Sequence, residues 1–339
     1  MNQSDIKRKK IGWPEISLKR RGGVIHRAYV REVLSKDFDL ELINLEAKYL
    51  KHFRYFKFIE SFFYYLFLKG EKDLWVGDFY STVFSNPKRI KGKNLVWIHH
   101  LDFSGHPLIS QPFLNLLTKL FFFRNLKKSD AVVTICEYWR KYFSDLGYKN
   151  VYKIYGGFEL DRYNITDQEV EDFKKENNLQ GKPIIYLGNC QKCKGAVDSY
   201  KVLKDLDVYL ITSGEKQANI PVKNLNLSYR DYLKLLKASS IVLTMSKFKE
   251  GWCRTAHEAM LVKAPVIGSG FGGMEEPLTG GKQIICSDFK NLKEKVRYLL
   301  DNPEIRKEMG ENGFDYAKDF PIEKTQKNWL DLIHKILTE

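Results

Sequence analysis

The segment 249–276 reads KEGWCRTAHEAMLVKAPVIGSGFGGMEE and sets two carboxylates, Glu250 and Glu258, with seven residues between them. A helix predicted over 253–262 places the first before its N-terminus and the second in its second turn. Gly251 between them lets the backbone approach a ligand closely. The amides of Trp252, Cys253 and Arg254 have no partner within such a helix and point out of its N-terminus, where an anion is favoured. A carboxylate beside an anion site is useful if it accepts hydrogen bonds from sugar hydroxyls and leaves the anion to the amides. Taken without its flanks, the same stretch is an amphipathic helix with two incidental glutamates.

Two further groups carry chemistry-bearing side chains. His99 and His100 close a strand pattern at 95–99 (LVWIH) and open the run HHLDFSGH, in which Asp102 and His106 follow. That run permits a metal-cluster reading, but no distant partner ligands accompany it. Cys190 and Cys193 form a C-x-x-C pair inside 188–195 (GNCQKCKG). One such pair is half a zinc site, and no second pair or suitably spaced histidines follow. We expect no metal.

Positioning these residues requires regular elements, and from about residue 94 the pattern alternates steadily. Strand patterns at 95–99, 131–135 and 151–155 enclose helical stretches at 113–126 and 137–146. A partly helical stretch (161–178) leads to a second series, with strands at 183–187, 208–212, 241–245 and 265–268. Helices are predicted at 195–206, 230–238 and 253–262, and three more close the chain at 292–300, 303–317 and 322–337. In the first third, Gly22-Gly23 reads as a loop opening a helix over 24–34, with a strand at 39–45. Alternation of this kind makes parallel sheets covered on both faces. Two series make two doubly wound domains with a cleft between them, ligands lying at the C-terminal strand ends.

Composition fits a folded chain: 339 residues, 43% hydrophobic and 29% charged. The net charge of +14 is unevenly spread, because residues 1–128 hold 24 Lys and Arg against 12 Asp and Glu while the remainder holds 32 against 30. The basic excess is interleaved with aromatics at 51–68 and 113–128. Such stretches suit an anionic membrane surface, or equally an amphipathic core helix with a solvated basic face. No recognition motif supports nucleic acid. The N-terminal residues 5–10 run into no apolar secretory core, no stretch is long enough to span a bilayer, and five cysteines without framework spacing suit a reducing compartment. The expected location is cytoplasmic, with peripheral attachment to the inner membrane face as an extension.

With Ser246 before it, then EGW, EAM, APVIGS and a Gly-Gly ahead of an acidic pair, 246–276 resembles the donor-site signature of glycosyltransferase family 4, also described as glycosyl transferases group 1. The resemblance covers roughly residues 94–339 and is weak before that. It implies the GT-B fold, two Rossmann-like domains facing a cleft: residues 1–163 for the acceptor, 164–319 for the nucleotide-sugar donor, and a last helix within 320–339 that packs back on the first domain. It implies that Glu250 contacts the donor sugar, that Glu258 contacts the ribose, and that 270–273 form a glycine loop near sugar and diphosphate. Gly188 to Gly195 stands where the family has a phosphate loop, Gly-Arg-x-x-x-x-Lys-Gly. Lys194 and Gly195 fit that pattern, but Asn189 occupies the arginine position, which leaves open which cation serves the diphosphate; Lys192 is one substitute. Gly22 and Gly23 correspond to a glycine loop facing the diphosphate. Residues 156–159 stand at the interdomain turn. A family histidine at the strand end near sugar and phosphate maps to His99, with His100 as the alternate.

The activity so implied is retaining transfer of a hexose from a UDP- or GDP-linked donor to a glycan or lipid-linked acceptor. The resemblance implies front-face attack in which the leaving diphosphate helps take the acceptor proton, without the covalent carboxylate nucleophile of many hydrolases. His99, Lys194 and Glu250 would carry catalysis, Lys194 by stabilising charge on the leaving diphosphate. No cofactor is expected. Two rivals keep the fold without the activity: a nucleotide-binding module that lost catalysis, favoured by Asn189, and a membrane scaffold built on the aromatic and basic stretches.

Overall fold

The structure is a computed structural model that describes residues 8–16, 22–50, 52, 56–86, 88–105 and 110–339, without the side chains of 22–25 and 56–58. Two six-stranded sheets organise it. The first contains β1 (Lys10–Glu15), β2 (Asp39–Asn44), β3 (Gly70–Gly77), β4 (Ile90–Ile98), β5 (Ala131–Thr134) and β6 (Val151–Lys153) in the order β2-β1-β3-β4-β5-β6. The second contains β7 (Ile184–Asn189), β8 (Tyr209–Ser213), β9 (Lys223–Leu225), β10 (Ile241–Thr244), β11 (Val266–Gly268) and β12 (Ile284–Ile285) in the order β12-β11-β10-β7-β8-β9. Every pairing is parallel, for example Leu95 opposite Ala131 and Val242 opposite Val266.

Parallel strands need both faces covered, and the side-chain period of two delivers this. Along β4, Leu95 and Trp97 enter one core while Val96 and Ile98 enter the other. Along β7, Ile184 and Tyr186 face one side while Ile185 and Leu187 face the other. Each sheet therefore sits between two apolar clusters, and complete burial of each large aliphatic side chain is worth about 1.5–3 kcal/mol. The architecture is the GT-B arrangement of two doubly wound sheets.

The chain crosses between the sheets twice, side by side. Phe158 on the way out and Pro321 on the way back form an isolated parallel bridge, with Phe158 N donating to Phe320 O (3.0 Å) and Ile322 N to Phe158 O (2.9 Å). The final helix, Ile322–Thr338, then lies on the first sheet: Trp329 packs on Trp97 at 4.5 Å between ring centroids, and Lys93 Nζ donates to Ile336 O (2.6 Å).

Several elements differ from the sequence expectation. β1 and β3 form although Gly12 and Pro14 interrupt the first pattern and GEKD opens the second. The short edge strands β9 and β12 carry too few residues to show a period. The strand pattern at 151–155 ends at Lys153. The helical stretch at 113–126 contains a π-helical turn, Thr118–Phe122, between Gln111–Leu117 and Phe123–Leu126. Gly22 and Gly23 are the first residues of the helix Gly22–Asp37, and residues 17–21 before them lie outside the described residues.

Candidate functional site

The helix Arg254–Leu261 follows β10 and is capped by Cys253, so Glu258 falls on its buried side and Glu250 precedes it. Trp252 lies ahead of the helix, and its ring packs among Tyr155 (4.8 Å), Phe320 (5.1 Å) and His257 (5.2 Å). The orphan amides of the helix itself begin with the N-cap Cys253, and the Trp252 amide lies one residue ahead of it. Burial pushes the Cys253 thiol up to about 12.

Each glutamate is held by a cation. Lys194 Nζ donates to Glu250 Oε1 at 2.5 Å, and Ser246 Oγ donates to the same oxygen at 2.5 Å. Burial alone would favour neutral Lys194, but the Glu250 carboxylate outweighs it and holds the ammonium above its ordinary pKa. Arg254 Nε donates to Glu258 Oε1 (2.7 Å), which also accepts from Tyr229 OH (2.8 Å), while Tyr232 OH donates to Glu258 Oε2 (3.1 Å). Arg254 is likewise raised: burial opposes its charge, and Glu258, Tyr163 and Tyr229 overcome that effect.

The loop ahead of Lys194 is built for close approach. Lys192–Lys194 form a short 3-10 turn, and Gly195 then takes φ +76°, with Met245 O only 2.2 Å from where a Cβ would stand. Lys247 N donates to Cys193 O (2.9 Å) and ties this loop to the one before Glu250. Gly188 (φ +85°) and Asn189 end β7, with the Asn189 side chain exposed. Cys190 is buried and its thiol donates to Ala218 O (3.3 Å), whereas Cys193 turns to Gln191 (3.7 Å). Among the described residues no three His, Cys, Asp or Glu side chains gather as a metal-ligand set, and His106 lies outside those residues.

The first sheet contributes from its C-terminal strand ends. A Cβ on Gly251 would stand 2.5 Å from the His99 carbonyl oxygen, so this oxygen seats the motif. The His99 imidazole stacks on Trp97 (5.0 Å), with its pKa pushed down to about 3 by burial, then by Arg27 and His100. His100 turns the other way, toward Phe248 (5.6 Å), over whose ring Lys194 Nζ sits at 4.7 Å. Asp102 Oδ2 accepts from Lys249 N (2.8 Å), and Trp139 Nε1 donates to Glu250 O (2.9 Å). Glu276, in the acidic pair after the glycine loop, accepts from Glu137 N (2.9 Å) and from the Tyr155 hydroxyl. The structure therefore pairs Lys194 with Glu250, sets Lys194 and His100 against the same Phe248 ring, seats Gly251 on the His99 backbone, and pairs Arg254 with Glu258.

Sequence reasoning missed the tyrosines. Tyr229 and Tyr232 are three apart at the start of the helix Tyr229–Ala238, capped by Ser228, and this i, i+3 spacing after a Ser was the available signal. It also missed a buried ionic group on the first sheet. Arg27 donates to Asp78 Oδ2 (3.1 Å) and stands 3.8 Å from Glu15, which Arg31 also pairs. Burial raises the Glu15 pKa against the pull of both arginines.

The family described as glycosyl transferases group 1 matches residues 167–316. Trehalose synthase of Pyrococcus horikoshii is 31% identical over 138 residues, which cover 40% of this chain and 31% of that protein. The match thus spans about a third of that relative's length. Sucrose-phosphate synthase of Thermosynechococcus elongatus superposes with a TM-score of 0.78 at 17% identity, covering 98% of this chain and 100% of that one. HepE of Anabaena, in complex with UDP-glucose, gives 0.73 at 14% identity over 96% and 100%. The GT-B fold is thus shared with these solved structures, and the segment that matches the glycosyl transferases group 1 family, residues 167–316, contains both glutamates and both of their cations.

Proposed function

We propose that this chain is a retaining glycosyltransferase of family 4 that transfers a hexose from a nucleoside-diphosphate donor, UDP- or GDP-linked, to a glycan or lipid-linked acceptor. The observation that carries the reading is the Lys194–Glu250 pair at 2.5 Å, seated between the Gly195 turn and the N-terminus of the Arg254–Leu261 helix. In this reading a diphosphate arrives at the helix N-terminus, takes Lys194, and leaves Glu250 to accept from the donor sugar's hydroxyls. Charge grows on the diphosphate as the glycosidic bond breaks, and Lys194 with the helix amides stabilises it. The acceptor hydroxyl attacks from the face the phosphate leaves and passes its proton to a phosphate oxygen, so no covalent carboxylate intermediate forms. No metal or other cofactor is invoked. HepE, of the same fold, was solved with UDP-glucose, which makes UDP-hexoses the first donors to test. The test is a panel of UDP-, GDP- and ADP-hexoses scored by thermal stabilisation and by nucleotide release. A panel in which none binds would refute the reading, while binding without release would favour the inert nucleotide-binding module.

A specific observation favours an acceptor at the cytoplasmic face of a membrane. Ile59, Phe63 and Phe67 are exposed along one face of Phe56–Phe67, and Phe113, Leu116, Leu120 and Phe121 along one face of 111–126. Lys119 and Arg124 are exposed on the same 111–126 segment, and Lys127 and Lys128 are exposed just after it. Apolar faces flanked by basic side chains suit an anionic interface. Phe62, by contrast, is only partly exposed and packs on Phe84 (5.0 Å). Among the described residues no helix is long and apolar enough to cross a membrane.

A further inference from the structure

A cation is missing from the phosphate loop, because Asn189 stands at the arginine position. Asn189 is exposed, and the nearest side-chain partner, Tyr186 OH, approaches its Oδ1 at 3.4 Å. Lys192 is exposed on the 3-10 turn. A better-placed cation sits at the first position of the Arg254–Leu261 helix. The Arg254 guanidinium lies 4.5 Å over the Phe158 ring, and its Nη2 reaches the hydroxyls of Tyr229 (3.4 Å) and Tyr163 (3.5 Å). Its Nη1 lies 3.4 Å from His26 Nε2, on the helix that Gly22 and Gly23 open. Burial first, and Arg254 next, hold His26 far below its ordinary pKa, so this neighbour is neutral and adds no repulsion.

Both carboxylates that the donor reading assigns to hydroxyls are therefore occupied by cations in the same way. Lys194 holds Glu250 and Arg254 holds Glu258. Both pairs are largely buried, so neither carboxylate can be left bare without a large desolvation cost. A nucleoside diphosphate carries what each pair needs for exchange: phosphate oxygens for the cations and hydroxyls for the carboxylates.

We propose that Arg254 is the diphosphate-binding cation that replaces the arginine absent at Asn189, and that it exchanges Glu258 for donor phosphate as the ribose hydroxyls take over Glu258. The inference rests on the donor reading above. Arg254 leaves the same helix terminus that offers amides to the anion, and a guanidinium pairs with phosphate oxygens through two parallel N–H donors. Phe158 supports its plane in either position by stacking. Tyr229 and Tyr232 remain as donors to Glu258 during the exchange, which keeps that carboxylate solvated throughout.

The test compares UDP with uridine, and GDP with guanosine, by calorimetric titration of the full chain and its Arg254→Gln and Arg254→Lys variants. The cation role predicts that Arg254→Gln weakens the diphosphate roughly tenfold or more while the nucleoside changes less than about threefold. Arg254→Lys, which keeps a charge without the fork, falls between, and adding Asn189→Arg to Arg254→Gln restores diphosphate affinity. Arg254→Lys also serves if the Gln variant fails to fold. Equal loss of nucleoside and diphosphate would show that Arg254 only orders Glu258 and would overturn the proposal, as would unchanged diphosphate affinity. If the unsubstituted chain binds no nucleoside diphosphate at all, the donor reading fails and takes this inference with it.

Discussion

Gly251 and His99 meet backbone to backbone across the two sheets, with the His99 oxygen 2.5 Å from the place a Gly251 Cβ would occupy. The contact has a consequence for Gly251→Ala. Ile135 Cδ1, at 3.1 Å, can give way, but the nearer His99 oxygen is backbone, so the methyl must push the segment before the Arg254–Leu261 helix away from the end of β4. The substitution should cost about 1–3 kcal/mol in urea denaturation and should lower transfer more than donor binding. Unchanged stability together with full activity would refute this closeness of approach.

The two glutamates should separate in their effects. Glu250→Gln should lower transfer by roughly 10²-fold while nucleoside diphosphate affinity stays within a few-fold. Glu258→Gln should weaken the nucleotide itself by about 1.5–3 kcal/mol, the worth of a charged hydrogen bond. Gln is preferred to Ala at 258 because it leaves less of a hole beside the buried Arg254. Titration and initial-rate measurements on both variants decide the matter, and equal small effects would remove the assignment.

Acid should destabilise the fold through its buried histidines. His257 is fully buried, stacks on Phe158 at 4.5 Å, and has a pKa pushed down to about 3 by burial. Its Nε2 faces Ala317 O at 3.1 Å, while Nδ1 is buried without a hydrogen-bond partner. The unfolded chain takes up this proton near pH 6.5 and the native one only near pH 3. Stability is therefore complete above about 6.5 and falls by roughly 1.4 kcal/mol per pH unit per such histidine on the way down. Denaturation at pH 7.5, 6.0 and 5.0 should show a shallower pH slope for His257→Gln than for the parent. Parallel slopes would show that His257 does not contribute.

Membrane attachment predicts a divided response to salt. The basic side chains near the surface, at about 1 kcal/mol each, should drive flotation with anionic vesicles. That part should weaken as the screening length falls from about 10 Å at 0.1 M to about 3 Å at 1 M. Phe113 and Phe121 are 59% and 46% exposed, and Phe113→Ser with Phe121→Ser should remove whatever binding survives high salt. No flotation on anionic vesicles at low salt would leave a soluble acceptor as the better reading.

The four inner strands of the second sheet were readable because they are short apolar runs bounded by turn residues, and the 249–276 segment because its glycines and glutamates are ordered along a predicted strand, turn and helix. The first third was harder for a physical reason. Trp13 and Trp75 sit in strands whose patterns are broken by Gly12, Pro14 and a charged opening, so only tertiary pairing with β2 and β4 reveals them. The π turn at Thr118–Phe122 inserts a residue into the helical count, which no local pattern announced, and across it Leu120 and Phe121 are exposed while Phe122 is fully buried. The site's side-chain pairings were legible only in part. Lys194 and Glu250 are 56 positions apart, and nothing in local spacing shows that they touch.

The most direct measurement needs no acceptor. The chain is incubated with a UDP-α-hexose and the other α-linked donors of the panel, and the released sugar is followed by NMR before mutarotation. Retaining transfer to water should release the nucleoside diphosphate and the α-anomer first, and Glu250→Gln should suppress both signals. A nascent β-anomer, or no nucleotide release from any donor, would contradict the account.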